Sequence, residues 1–207
     1  MKRQEKVELL PDLVEFLVGD ASDVFILFVD LCGSTEYKKK CLQSNQPDVN
    51  WIFRQFFFLQ RAAKTTKDYG GTVIKTIGDE ILALFEATTK PETVLKCAIE
   101  IIQGFENLKA YKGNSKIESK AAIDFGLAYN GAIKDTIPFD PIGLSVDRCA
   151  RLNSCAQKGE IVFSEDFLLL AESRTSKKAF KAKYGYTSHE NDFKGIGRMT
   201  YFKITAG

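Results

Sequence analysis

Two aspartates stand where carboxylate chemistry could be done. Asp30 closes the apolar run of residues 24–29, and Leu31, Cys32, Gly33, Ser34 and Thr35 follow it at once. Asp79 sits in KTIGDE, between two short apolar and β-branched stretches. Two carboxylates side by side repel unless a cation joins them, and a ligand set made only of oxygen favours Mg2+ or Mn2+ over zinc. Taken singly, each aspartate reads more simply as a turn residue, Asp30 capping the next helix and Asp79 at a hairpin tip. The backbone N–H groups of residues 32–35, at a helix start, form a candidate cradle for phosphate oxygens.

Three further places carry charge that could be used. Lys75 is a lone cation in the apolar stretch of residues 73–75. Residues 138–154 hold Asp140, Asp147, Arg148 and Arg151. Asp147 and Arg151 are spaced i, i+4 and share one helix face, which by itself suggests a surface ion pair worth less than ~1 kcal/mol. The single histidine, His189, lies in the polar TSHEND stretch and reads as a solvated loop residue. Catalysis through a Ser-His-Asp or Cys-His arrangement would have to use it, so carboxylates, Lys and Arg must carry any reaction.

The elements that must position these groups follow from the hydrophobic pattern. Residues 23–30 form a buried central strand. An aromatic-rich helix spans about 48–69 and closes at Gly70-Gly71. Strands 72–75 and 80–85 pair as a hairpin with residues 76–79 between them. A helix from 90 to about 108 buries one apolar face, and a polar loop, 112–119, leads to a strand at 121–129. A short helix at 146–156, a strand at 161–163, a helix at 165–171 and a closing strand at 199–204 complete the chain. This order predicts helices covering a sheet, as an α+β or α/β sandwich.

Composition removes several classes. With 207 residues, 44% hydrophobic and 27% charged, the chain is long enough to bury one core without a disulfide or metal staple. A net charge of +2 is no footprint of a dedicated nucleic-acid binder. No apolar run approaches the ~20 residues of a membrane span, and the N-terminus lacks the apolar core of a signal peptide. Five cysteines without a CxxC pair indicate neither a disulfide framework nor a zinc ribbon. Together these readings predict a cytoplasmic protein with no nucleic-acid or membrane partner.

Read together, four segments resemble the class III nucleotidyl (adenylate and guanylate) cyclase catalytic domain, in the same chain order: ILFVDLCGST (26–35), GGTVIKTIGDEILALF (70–85), FDPIGLSVDRCARLNS (139–154) and FKGIGRMTYFKI (193–204). The resemblance covers 23–207, leaving 1–22 as an N-terminal extension. It implies an α+β fold with a ferredoxin-like βαββαβ core, a central and mostly antiparallel sheet covered by helices, in a head-to-tail homodimer with sites at the interface. It implies that Asp30, Asp79 and the Leu31 carbonyl hold two divalent cations, Mg2+ or Mn2+. The ribose 3′-hydroxyl of a nucleoside triphosphate would then attack the α-phosphate and release pyrophosphate. Cys32, Gly33, Ser34 and Thr35 would hold phosphates, Lys75 and Asp140 would read the base, and Arg151 would act in the transition state. Lys194 or Arg198 would contact the triphosphate. The family's transition-state asparagine falls on Asp147, a departure that Arg148 or Arg151 could offset by pairing with it.

The base is where the residues and the resemblance part. Lys75 with Asp140 suits adenine, lysine donating to N1 and aspartate accepting from the exocyclic amine. The short stand-alone format, the change at Asp147 and the long aromatic helix resemble instead the pyrimidine cyclases of bacterial anti-phage systems. That resemblance implies UTP ahead of CTP, and a cyclic product such as cUMP read by a separate effector. Tyr37, Arg54 or the aromatics at 56–58 would fill the space left by a smaller base, or serve core packing. The other readings are an adenylate cyclase making cAMP and a catalytically silent nucleotide-sensing module of the same fold. The signature of diguanylate cyclases is absent.

Overall fold

A computed structural model describes residues 21–105, 116–131 and 140–206. Most of the expected N-terminal extension, the last residues of the expected helix near 108 and much of the 112–119 loop lie outside the described residues. The elements run β1 (Ala21–Leu31), α1 (Ser34–Gln43), α2 (Val49–Asp68), β2 (Thr72–Ile77), β3 (Glu80–Glu86), α3 (Pro91–Gln103), β4 (Ser119–Asn130), β5 (Pro141–Ile142), α4 (Leu144–Cys155), β6 (Glu160–Ser164), α5 (Glu165–Arg174), α6 (Lys177–Tyr184), β7 (Thr187–Phe193) and β8 (Gly197–Thr205). The strands form one sheet in the order β2-β3-β1-β4-β6-β8-β7, with β5 beside β4. All described pairings are antiparallel except β4 with β6. The α+β reading and the mostly antiparallel sheet are thus borne out.

Strand alternation explains why β1 is apolar almost throughout. Phe25, Leu27, Val29 and Leu31 face one side and pack with Phe58 and Ala62 of α2, with α3, and with Phe167 of α5 and Phe180 of α6. Ile26 and Phe28 face the other side and pack with Val146, Cys149 and Leu152 of α4. A strand buried on both faces cannot alternate apolar with polar. Among the described residues α4 is the one helix contributing to that second cluster, so the two faces are covered unequally.

Several boundaries and elements depart from expectation. β1 begins at Ala21, and the 199–204 strand extends to Gly197–Thr205. The polar segments carrying α6 and β7 lack a clear hydrophobic period and were not expected as elements. His189 is a correction: it lies within β7, opposite Tyr201 of β8. Its ring stacks on that of Tyr201 and bonds the Thr187 hydroxyl. An edge strand of polar residues looks like a loop in sequence because one neighbour, β8, supplies its whole ladder.

Candidate active site

The central strand delivers Asp30 to the end of the sheet. In the ladder Asp30 lies opposite Glu80 of β3 and Lys120 of β4. Asp79, one residue before Glu80 at the tip of the β2–β3 hairpin, therefore reaches the same place. Asp30, Leu31, Cys32, Gly33, Ser34, Thr35, Asp79 and Lys120 line one cleft of about 470 Å3. Burial pushes the Asp30 carboxyl above its ordinary range and the Asp79 charge adds to this, whereas Lys120 pulls the other way. The Lys120 ammonium stands 3.4 Å from the Asp30 carboxylate. Two half-buried carboxylates with oxygen neighbours fit a hard divalent cation. The turn reading of Asp30 as a helix cap does not hold, because Gly33 stands at the N-cap of α1 and no side chain caps it. Asp79 does occupy a hairpin tip, and the tip is what carries it to Asp30.

Gly33 makes the phosphate cradle possible. Its φ of +69° is a left-handed conformation that an L side chain resists by ~1–2 kcal/mol. With no side-chain cap, the first N–H groups of α1 remain available to an anion. Cys32 sits in this loop with its thiol pushed up to about 11, chiefly by burial; it is a neutral thiol at physiological pH rather than a nucleophile.

Lys120 in the cleft and Glu80 beside Asp30 in the ladder had no sequence assignment. Lys120 opens a strand that continues apolar (AAI), and its register against Asp30 is the signal that finds it. Glu80 has its carboxyl pushed up to about 7 by burial and by the Asp30 charge. It accepts a hydrogen bond from Asn153 of α4, which ties the hairpin to that helix.

The remaining expected residues gather elsewhere. Lys75 and Asp140, 65 positions apart, meet at 2.6 and 2.7 Å, but neither lines the carboxylate cleft. Asp147 and Arg151 lie on the exposed side of α4. Among the described residues they form no ion pair with each other, which corrects the i, i+4 expectation. Arg148 does not hold Asp147 either. It clasps the fully buried Asp124, with Nε and Nη2 at 2.5 and 2.7 Å, and also pairs with Asp166. Lys194 is exposed in the β7–β8 turn, and the Arg198 Nε donates to Glu190 at 3.1 Å; neither reaches the cleft of its own chain. Of the side chains suggested as filling for a small base, Arg54 and Phe58 are buried on α2, Phe56 is exposed, and Tyr37 stacks against Arg54.

The family description "Adenylate and Guanylate cyclase catalytic domain" matches residues 18–205. The chain belongs to this family, the class III nucleotide cyclases. No curated protein matches the sequence. Solved structures with this fold include the guanylate cyclase domain of RhGC from Catenaria anguillulae in complex with GTP, at TM-score 0.71 and 19% identity, covering 89% of this chain and 96% of that one. The guanylyl cyclase Cya2 superposes at TM-score 0.74 and 19% identity, covering 89% and 92%. The adenylyl cyclase CyaB from P. aeruginosa gives TM-score 0.70 and 18% identity, covering 89% and 94%. Among the described residues no helix is long and apolar enough to cross a membrane.

Proposed function

We propose that this cyclase works as a head-to-tail homodimer and that its substrate is a pyrimidine nucleoside triphosphate, UTP ahead of CTP. The observation that carries the catalytic reading is the meeting of Asp30 and Asp79 beside the uncapped start of α1. Asp30, Asp79 and the Leu31 carbonyl would hold two divalent cations, Mg2+ or Mn2+. When bound, such cations supply activation of the ribose 3′-hydroxyl and neutralisation of the triphosphate. The Cys32 N–H is already donated to the Glu118 carbonyl at 2.8 Å, so the N–H groups of residues 33–35 orient the phosphates for in-line displacement of pyrophosphate, a reaction governed by positioning and charge.

The dimer reading rests on what the cleft lacks. Lys75, Asp140, Asp147, Arg151, Lys194 and Arg198 lie outside the Asp30–Asp79 cleft of their own chain, so a second copy is the natural source of base-reading and transition-state groups. Ile142 and Leu144, 59% and 62% exposed beside α4, are apolar surface that such a partner would cover.

For the base, Lys75 and Asp140 present a donor beside an acceptor. Uracil offers O4 beside N3–H to that pair, and the resemblance to pyrimidine cyclases, with Asp147 in place of asparagine, favours it. The role that follows is a second messenger for a separate effector in anti-phage defence, in a cytoplasmic setting. The second reading is ATP, favoured by the same preformed Lys75–Asp140 contact, which adenine also satisfies through N1 and its amine.

The test incubates the purified protein with equimolar ATP, GTP, CTP and UTP plus Mn2+ and identifies products by mass spectrometry. We expect cUMP, with cCMP second. A cAMP peak alone overturns the pyrimidine reading. Nucleotide binding without any cyclic product, matched by Asp30→Ala, points to a silent sensing module.

A further inference from the structure

A second cavity of about 370 Å3 opens on the far side of the phosphate loop, between α1 and α2. It shares Leu31, Ser34, Thr35 and Asp79 with the carboxylate cleft, so the two are continuous. Its other wall carries Tyr37, Lys38, Trp51, Arg54 and Gln55. Arg54 is the unusual member. It is 4% exposed, yet among the described residues it pairs with no carboxylate. Its Nη2 donates to the carbonyls of Cys32 and Lys116 at 3.1 and 3.3 Å. Its Nε has no hydrogen-bond partner among the described residues. The charges of Asp79 and Glu118 act on the guanidinium from a distance, but neither bonds it, and a buried charge with a donor left unsatisfied is expensive unless a ligand completes its shell. Lys38 brings a second cation to the same wall, held over the Trp51 ring at 4.3 Å.

We infer that the α1–α2 cavity is an anion subsite that takes the pyrophosphate end of the triphosphate, with Arg54 and Lys38 as its cations. The inference rests on the cyclase reading for its biological meaning, though the binding itself does not need turnover. Phosphate oxygens entering past Thr35 meet the guanidinium nitrogens other than Nη2, which the two carbonyls occupy, in charge-assisted bonds. The hydroxyls of Ser34 and Thr35 lie on the shared wall, so one anion can span both clefts. Arg54 thereby does two things: it pins the Cys32 carbonyl, shaping the phosphate loop, and it neutralises the leaving group.

The probe is inorganic pyrophosphate, titrated calorimetrically into the full chain with and without Mg2+. Arg54→Met is expected to weaken pyrophosphate binding by about ten- to a hundredfold, the size of one lost charge-assisted bond set. Lys38→Met, at an exposed position, should weaken it by about threefold, as a screened surface charge does. Arg54→Lys retains a cation and should fall between wild type and Arg54→Met. Equal losses in Arg54→Lys and Arg54→Met, with Lys38→Met unchanged, would assign Arg54 to holding the loop alone and overturn the subsite. So would wild-type protein that binds no pyrophosphate at millimolar concentration. A chain that binds pyrophosphate in this pattern but makes no cyclic nucleotide would keep the subsite and sink the turnover reading. If Arg54→Met does not fold, Lys38→Met and Arg54→Lys still decide the matter.

Discussion

The carboxylate cleft and the surface of α4 are built in opposite ways. Asp30 stands at the end of a strand whose side chains are buried on both faces, and its neighbours Glu80 and Lys120 are set by ladder register. The cleft is therefore complete as far as one chain can make it. Asp147 and Arg151 stand on the open side of a helix whose other side packs through Val146, Cys149 and Leu152. Their side chains are presented outward and, among the described residues, form no ion pair. Lys75 and Asp140 satisfy each other meanwhile. The difference teaches that one half of the chemistry is folded and the other half is displayed, which is what a site shared between two copies requires.

The largest effect expected comes from breaking each half separately. Asp30→Asn and Arg151→Ala should each lower cyclic-nucleotide formation by about 10²–10³-fold, as loss of one electrostatic group at a developing charge does. Mixed in equal amounts and allowed to exchange subunits, the two variants should regain about a quarter of wild-type activity, because half the dimers hold one intact site. The assay is product formation after mixing. No recovery would place both residues in the site of a single chain and dissolve the contrast. The next effect concerns what holds α4. Asp124 is fully buried and bonded by Arg148, Ser164 and the Phe125 N–H. Asp124→Asn should destabilise the fold by ~3–5 kcal/mol in urea unfolding, since it removes the buried partner of Arg148 and leaves it only the more exposed Asp166, whereas Asp124→Leu with Arg148→Met should recover most of that.

The same contrast sorts what the sequence could reveal. β1, the β2–β3 hairpin, α2 and α4 announce themselves by apolar period and by glycines, and with them come Asp30, Asp79 and the phosphate loop. Gly71 is legible only as part of a Gly-Gly stop. The structure adds that a Cβ there would stand 2.5 Å from the Phe85 ring. Lys120 and Glu80 were not legible near the site, and Arg54 was legible only as filling for a base, because their meaning lies in which strand or loop faces them. A lysine opening a strand looks like an edge charge until the register sets it against Asp30. An arginine among aromatics looks like helix surface until α2 is seen to bury it. α6 and β7 escaped because their neighbours, not their own pattern, stabilise them.

The smallest effect expected sharpens the cleft itself. Lys120 lies 3.4 Å from Asp30, with side chains 19% and 26% exposed, and acts as a resident cation in the position a divalent ion would neutralise. Lys120→Met leaves the Asp30 charge uncompensated. It should therefore tighten Mn2+ binding in the absence of nucleotide by about fivefold, roughly 1 kcal/mol for a partly exposed pair. It should lower fold stability by a similar amount, since the same carboxylate is then half-buried without a partner. Lys75→Met, in the displayed half, should leave Mn2+ affinity as it was. Mn2+ titrations followed by electron paramagnetic resonance on both variants measure this. Tighter binding in Lys120→Met alone means that the folded half carries its own stand-in for the metal. Equal changes in both would mean that the two halves communicate within one chain before any partner arrives.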